Sequence, residues 1–250
     1  MSVRRALVIL VCLCVAILTS VPGSGADAKQ LALVYNGPGS AQEAPEALAS
    51  VIRSVGLEIR YFKDPAELPA LLDSAVLLAV GGTDDYTRRL RESFAGPAEE
   101  AILRFMIRGG RYCGICGGAY LAAAEWEEDG LVRGFGLAPV RLDSFLSDAT
   151  PALLSIRWQD KKRDMYYQLG PYFEILDSGA PLEELAWYDD DSVAALICAF
   201  GKGKVLLSGP HPEAPDSWLE DEMPSGTWKP SIDLLQAALR DLMSDRAPGK

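Results

Sequence analysis

The segment Gly109-Gly-Arg-Tyr-Cys-Gly-Ile-Cys-Gly-Gly-Ala-Tyr120 constrains the fold more than any other part of the chain. Tyr112 to Cys116 reads as a buried strand and Ala119 to Trp126 as a helix, so the backbone must reverse sharply at Cys116. Gly114-Ile-Cys116-Gly-Gly118 fits the pattern G-x-nucleophile-x-G. That spacing has a mechanical reason. The nucleophile sits on a tight strand-to-helix turn, and glycines two residues to either side let helix and strand pack closely. The turn aims the side chain away from the sheet, where the start of a helix favours a thiolate over a thiol. Glycines after the nucleophile leave backbone N–H groups free to meet an oxyanion. Two other readings fit the same residues. One is a glycine-rich turn around a small buried cysteine. The other is Cys113-Gly-Ile-Cys116 as a C-x-x-C, a redox pair or a disulfide that blocks the nucleophile in an oxidising compartment.

Around this turn the chain alternates apolar runs with helical patterns. Leu31 to Tyr35, Leu57 to Phe62 and Val76 to Val80 read as strands; Ala44 to Val55, Pro65 to Leu72 and Pro97 to Ile107 read as helices. Such alternation argues for a parallel sheet with helices on both faces. The second half differs. Leu153 to Trp158 and Met165 to Leu169 flank a polar turn, and Val193 to Phe200 and Lys204 to Ser208 flank Gly201-Lys-Gly203, so both pairs read as hairpins. A helix over Ser231 to Met243 closes a single domain spanning 29–246, followed by a short tail over 247–250.

Residues 1–28 stand apart. Arg4 and Arg5 precede an apolar run from Ala6 to Leu18, and Ala26-Asp27-Ala28 offers a small-residue cleavage site. This is the layout of a secretory signal peptide, and the apolar run is shorter than the ~20 residues a bilayer span needs. The expectation is an exported protein, periplasmic or secreted, with no stable membrane span after cleavage. Of the five cysteines, Cys12 and Cys14 lie in that leader, leaving Cys113, Cys116 and Cys198, too few for a disulfide scaffold. The net charge of −11 and the lack of a Lys/Arg run exclude nucleic acid as an expected partner. With one histidine and no second C-x-x-C, no metal site is expected, and no cofactor motif is present.

That histidine, His211, sits in Ser208-Gly-Pro-His-Pro-Glu213 directly after an apolar strand. A thiol nucleophile needs a base, and His211 is the sole imidazole in the chain. Glu213 stands two residues on, where it can hold the ring as the third member of a triad. A lone histidine in a turn also serves structure alone. Its place at a strand's carboxyl end, where open α/β sheets bind ligands, favours the functional reading.

Gly114-x-Cys116-x-Gly118 followed by His211-Pro-Glu213 resembles the class I glutamine amidotransferase-like superfamily. Val34-Tyr-Asn-Gly-Pro-Gly-Ser40, Gly81-Gly-Thr-Asp84 and Leu207-Ser-Gly-Pro-His-Pro-Glu213 narrow the resemblance to the biotin–protein ligase N-terminal-like domain, over nearly the whole chain after the leader. The resemblance implies a Rossmann/flavodoxin-like, mostly parallel sheet with Cys116, His211 and Glu213 as catalytic residues. It also places an oxyanion loop at Gly82 and Thr83, with backbone N–H groups of Gly82 and Gly117 as donors, and has the loop starting at Tyr35, Asn36 and Gly37 line the same mouth. No ligase domain and no synthetase partner domain accompany it, so ligation and ammonia channelling are not implied.

The expected function is a thiol-dependent hydrolase or amidase acting on an amide or γ-glutamyl bond of a small-molecule or peptide-like substrate. The alternative is a catalytically silent domain that binds a ligand or partner in the same cleft. Tyr35, Tyr86, Tyr120, Tyr172, Phe173 and Trp218 are candidate cleft aromatics under either reading, and core residues otherwise. The stretch from Glu213 to Lys229 reads as a packed surface loop or a lid.

Overall fold

The computed structural model describes residues 30–84, 87–177, 179–219 and 228–249. The expected leader, Tyr86 and residues 220–227 of the 213–229 loop lie outside them. The chain begins with β1 (Leu31–Tyr35), α1 (Ala44–Ser54), β2 (Glu58–Phe62), the single-turn α2 (Leu68–Leu71) and β3 (Ala75–Val80). It continues through α3 (Thr87–Ser93), α4 (Pro97–Ile107), β4 (Arg111–Ile115) and α5 (Gly117–Ala122). A run of strands follows: β5 (Glu125–Glu127), β6 (Leu131–Arg133), β7 (Val140–Ser144), β8 (Ala152–Trp158), β9 (Lys161–Tyr167) and β10 (Pro171–Ile175). The last elements are β11 (Leu182–Trp187), β12 (Val193–Phe200), β13 (Gly203–Ser208) and α6 (Ile232–Met243).

Five strands in the order β2-β1-β3-β4-β13 are parallel. The order reverses between β1 and β3, which opens a crevice at the strands' carboxyl ends. Side chains alternate across this sheet. Leu33, Leu78, Tyr112 and Leu207 join a core that also holds Ile102 and Phe105 of α4 and Leu121 of α5. Val34, Ala79, Cys113 and Leu206 face the other way, into a core with Leu48 and Ile52 of α1 and Leu235 and Leu239 of α6. Helices therefore cover both faces, because both registers of these strands are apolar.

Beyond β13 the sheet turns antiparallel. β12 runs antiparallel to β13, then splits: Val193 pairs with Phe173 of β10, while most of β12 pairs with β11. β11 leads on to β8 and β9. The hairpin expected around Gly201-Lys-Gly203 is present. That between β8 and β9 is tighter than the sequence suggests: Trp158 pairs with Lys161, and Gln159 takes a left-handed φ of 52°. The charged residues Lys161 to Asp164 are therefore strand, with their side chains near solvent at the edge of the sheet.

The helix expected over Ala119–Trp126 ends at Ala122, where Ala123 turns extended. The cause lies in residues 134–138. The N–H groups of Phe135, Gly136, Leu137 and Ala138 donate to the carbonyls of Leu121, Ala122 and Ala123, which closes the helix end. Glu125–Glu127 then forms β5, and Trp126 is buried against Tyr120. Among the described residues no helix is long and apolar enough to cross a membrane.

Candidate active site at the strand–helix elbow

Cys116 lies between β4 and α5 with φ 52° and ψ −111°, a backbone that side-chain-bearing residues rarely adopt. Its N–H donates to the Ser208 carbonyl at 2.8 Å, which ties the elbow to the end of β13. Both flanking glycines are required by packing. A Cβ on Gly114 would stand 2.4 Å from the Gly118 carbonyl oxygen, and one on Gly118 would stand 2.0 Å from that of Val80. The buried Tyr112 hydroxyl donates to the Gly118 carbonyl at 2.8 Å and holds α5 onto the sheet.

His211 arrives from the turn after β13. Its N–H donates to the Tyr166 carbonyl at 2.9 Å in an isolated antiparallel bridge, so β9 helps to place it. The ring lies edge-on to both Tyr166 and Trp218, with centroids 5.5 Å away in each case. His211 Nδ1 is 2.8 Å from Glu213 Oε1, and both side chains are buried. A carboxylate only accepts, so Nδ1 carries the proton of that bond and Nε2 is left for the sulfur. Burial alone would lower the pKa of His211. The charge of Glu213, the charge of the Cys116 sulfur and hydrogen bonds to both outweigh it and push the pKa up to about 10. Glu213 Oε2 is buried without a hydrogen-bond partner among the described residues. The Cys116 Sγ also lies 3.6 Å from the Gln168 carbonyl oxygen.

The three side chains open on a cavity of about 500 Å³. Gly82, Thr83 and Gly117 line it, as expected. Gly82 packs against His211: a Cβ there would be 3.0 Å from Cε1. The Gly118 N–H is taken by the Gly81 carbonyl, whereas among the described residues the Gly82 and Gly117 N–H groups enter no loop hydrogen bond.

Tyr35, Asn36 and Gly37 do not reach this cavity. The Asn36 N–H donates to the Phe62 carbonyl, and Gly37 packs on Lys63, where a Cβ would be 2.1 Å from the carbonyl oxygen. Tyr35 is buried on Phe62 and Phe94, and lines a separate cavity of about 820 Å³ with Lys63, Asp64 and Arg89. The later part of the same loop, Ala41 to Glu43, reaches the Cys116 cavity instead. Of the candidate aromatics, Tyr120 and Trp218 line the cavity, Phe173 is core, and Tyr172 borders a small distant pocket. Sequence reasoning missed Tyr166 and Gln168. Tyr166 donates to Gln168 Oε1 at 2.9 Å, and Gln168 Nε2 donates to the Ala149 carbonyl at 2.9 Å, which fixes that wall.

Cys113, Cys116 and Cys198 are all free thiols. Cys113 points into the α1/α6 core with no exposure. Among the described residues no three His, Cys, Asp or Glu side chains group as metal ligands would.

The family described as "Biotin-protein ligase, N terminal" matches residues 31–130, a span that holds the elbow and Gly81 to Asp84 but not His211. The imidazole glycerol phosphate synthase subunit HisH of Syntrophotalea carbinolica is 31% identical over 173 residues, covering 64% of this chain and 82% of that one. The HisH subunit of Herpetosiphon aurantiacus is 32% identical over 134 residues, 54% of this chain and 59% of that one. Among solved structures, a glutamine amidotransferase superposes with a TM-score of 0.58 at 16% identity, over 84% of this chain and 98% of that one. Another, from Thermotoga maritima, gives 0.56 at 12% identity, over 87% and 100%. Fold, elbow and relatives agree: the chain belongs to the class I glutamine amidotransferase-like superfamily.

Proposed function

We propose that the protein is an exported thiol-dependent hydrolase of the amidase kind, with Cys116 as nucleophile, His211 as base and Glu213 as the group that orients it. The glutamine amidotransferase-like fold and the HisH relatives support amidase-like hydrolysis in general. One observation carries the finer reading: the strained Cys116 faces a buried His211 whose far nitrogen is 2.8 Å from Glu213. Export rests on the leader pattern in residues 1–28.

In this mechanism His211 Nε2 holds the proton given up by the Cys116 thiol, as the raised pKa of the ring favours, and Sγ attacks the carbonyl carbon of an amide. The oxygen's new charge is met by the N–H groups of Gly82 and Gly117. As the C–N bond breaks, His211 returns its proton to the leaving amine. Water then attacks the thioester, giving its proton to His211, and the acid leaves as Sγ recovers it. Comparing wild type with Cys116→Ala and His211→Ala on a panel of amide and γ-glutamyl compounds tests the reading. We expect each variant to lose a factor of about 10² or more in kcat. Full turnover by Cys116→Ala would overturn it.

A second reading, a silent binding domain, draws on the contact of Cys116 Sγ with the Gln168 carbonyl, an arrangement that suits a packing thiol. Alkylation by iodoacetamide separates the two. A nucleophile reacts in the folded protein and slows in His211→Ala, whereas a packing thiol stays inert in both.

A further inference from the structure

We propose that the Cys116 cavity selects amides bearing a cationic group next to the scissile bond, such as peptides or amino-acid amides with a free ammonium, over those bearing a free carboxylate there. This deepens the hydrolase reading and rests on it. The charge around the nucleophile carries the argument. Glu43 and Asp84 line the cavity, while no Lys or Arg does among the described residues. Glu43 heads α1 with a left-handed backbone, φ 64°, yet makes no side-chain cap hydrogen bond. Among the described residues neither carboxylate joins an ion pair, and no Lys or Arg enters this cavity. Lys63 and Arg89 line the neighbouring cavity, which Asp84 also borders, and Arg88 donates to the carbonyls of Glu128 and Gly130.

An independent feature of the wall points the same way. Tyr120, Tyr166 and Trp218 line the cavity, and aromatic ring faces attract cations and offer nothing to a carboxylate. A ligand carboxylate entering here would lose water, meet two like charges and find, among the described residues, only His211 as a basic side chain, whose charge Glu213 and Cys116 already face. An ammonium would meet two carboxylates and the rings.

The field can be measured without a substrate. Methanethiosulfonates transfer their thioalkyl group to a cysteine sulfur and release methanesulfinate, and they are sold with a trimethylammonium or a sulfonate tail of similar size. Rates at Cys116 are followed by mass spectrometry of the intact, folded protein, with the modified peptide identified. We expect the cationic reagent to react at least about tenfold faster than the anionic one, as two nearby unit charges require. The ratio should fall severalfold in Glu43→Gln and in Asp84→Asn, and approach the value for a small free thiol in the double variant. These exposed positions tolerate such replacements, and a circular dichroism melt checks folding. A ratio near one in wild type, or one unchanged in the double variant, overturns the proposal. Charge selection that persists while no Cys116-dependent amide turnover exists would instead sink the hydrolase reading alone.

Discussion

Gly117 lies so close to Thr83 that a Cβ on it would stand 2.0 Å from the Thr83 hydroxyl oxygen and 2.3 Å from its methyl carbon. The residue after the nucleophile is thus pressed against the loop that follows β3, and the two walls of the proposed oxyanion site are in contact. Thr83 is held in turn by Thr87, whose hydroxyl is 3.2 Å away, and by a bridge to Ser40.

Gly117→Ala should therefore destabilise the protein by about 1–3 kcal/mol, the usual cost of overpacking, and should slow Cys116 alkylation by displacing the elbow. Thr83→Gly in the same chain removes the atoms in the way. Thermal melts of both single variants and the double should show most of the loss recovered. Additive losses would mean that the two residues do not meet.

The thiols should divide cleanly. Burial pushes the Cys198 pKa up to about 12, and burial followed by the charge of Glu213 raises that of Cys113 further. Neither is accessible in the native fold. Iodoacetamide at pH 8 should therefore add one label per folded chain within residues 30–250, at Cys116, and three after unfolding. A native label at Cys113 would place that residue outside the core assigned to it.

Glu213→Gln keeps the size and a hydrogen-bonding oxygen at the position 2.8 Å from His211 Nδ1 but removes the charge. Glu213 supplies the largest of the effects that raise the His211 pKa. Alkylation of Cys116 at pH 7 should fall by about tenfold or more. An unchanged rate would show that the carboxylate's charge does not reach the sulfur through the ring.

The elbow and the Pro-His-Pro-Glu turn were legible because both are local: a strained turn, its two glycines and a nearby carboxylate sit within a few residues of each other. The parallel strands were legible for a related reason, as β1, β3 and β13 are apolar in both registers. The rest depends on pairings distant in sequence. Tyr166 and Gln168 reach the cavity only because β9 bridges to His211, and nothing in Met165 to Leu169 marks that. The early end of α5 is set by Phe135 to Ala138. Tyr35 to Gly37 belong to the motif carrying the resemblance, but Gly37 packs on Lys63, the Asn36 N–H is held by the Phe62 carbonyl, and Tyr35 lines the neighbouring cavity.

The same His211 shift sets how stability varies with pH. The ring's pKa rises from 6.5 to about 10 on folding. Between those values the folded ring holds a proton that the unfolded ring has released, and the part of the shift that comes from Glu213 makes stability fall as pH rises. The contribution is complete below about 6.5 and lost through about 10, with a slope of at most about 1.4 kcal/mol per pH unit for one proton. The buried thiols of Cys113 and Cys198 act in the same direction in alkali, since both keep their protons in the fold. Comparison with His211→Gln cancels them, because that variant retains both. Melting temperatures of the two proteins between pH 6 and 10 should show the wild-type advantage shrinking steadily across the upper part of the range. A constant difference would mean that His211 is neutral throughout, and that Glu213 orients the ring without holding its proton.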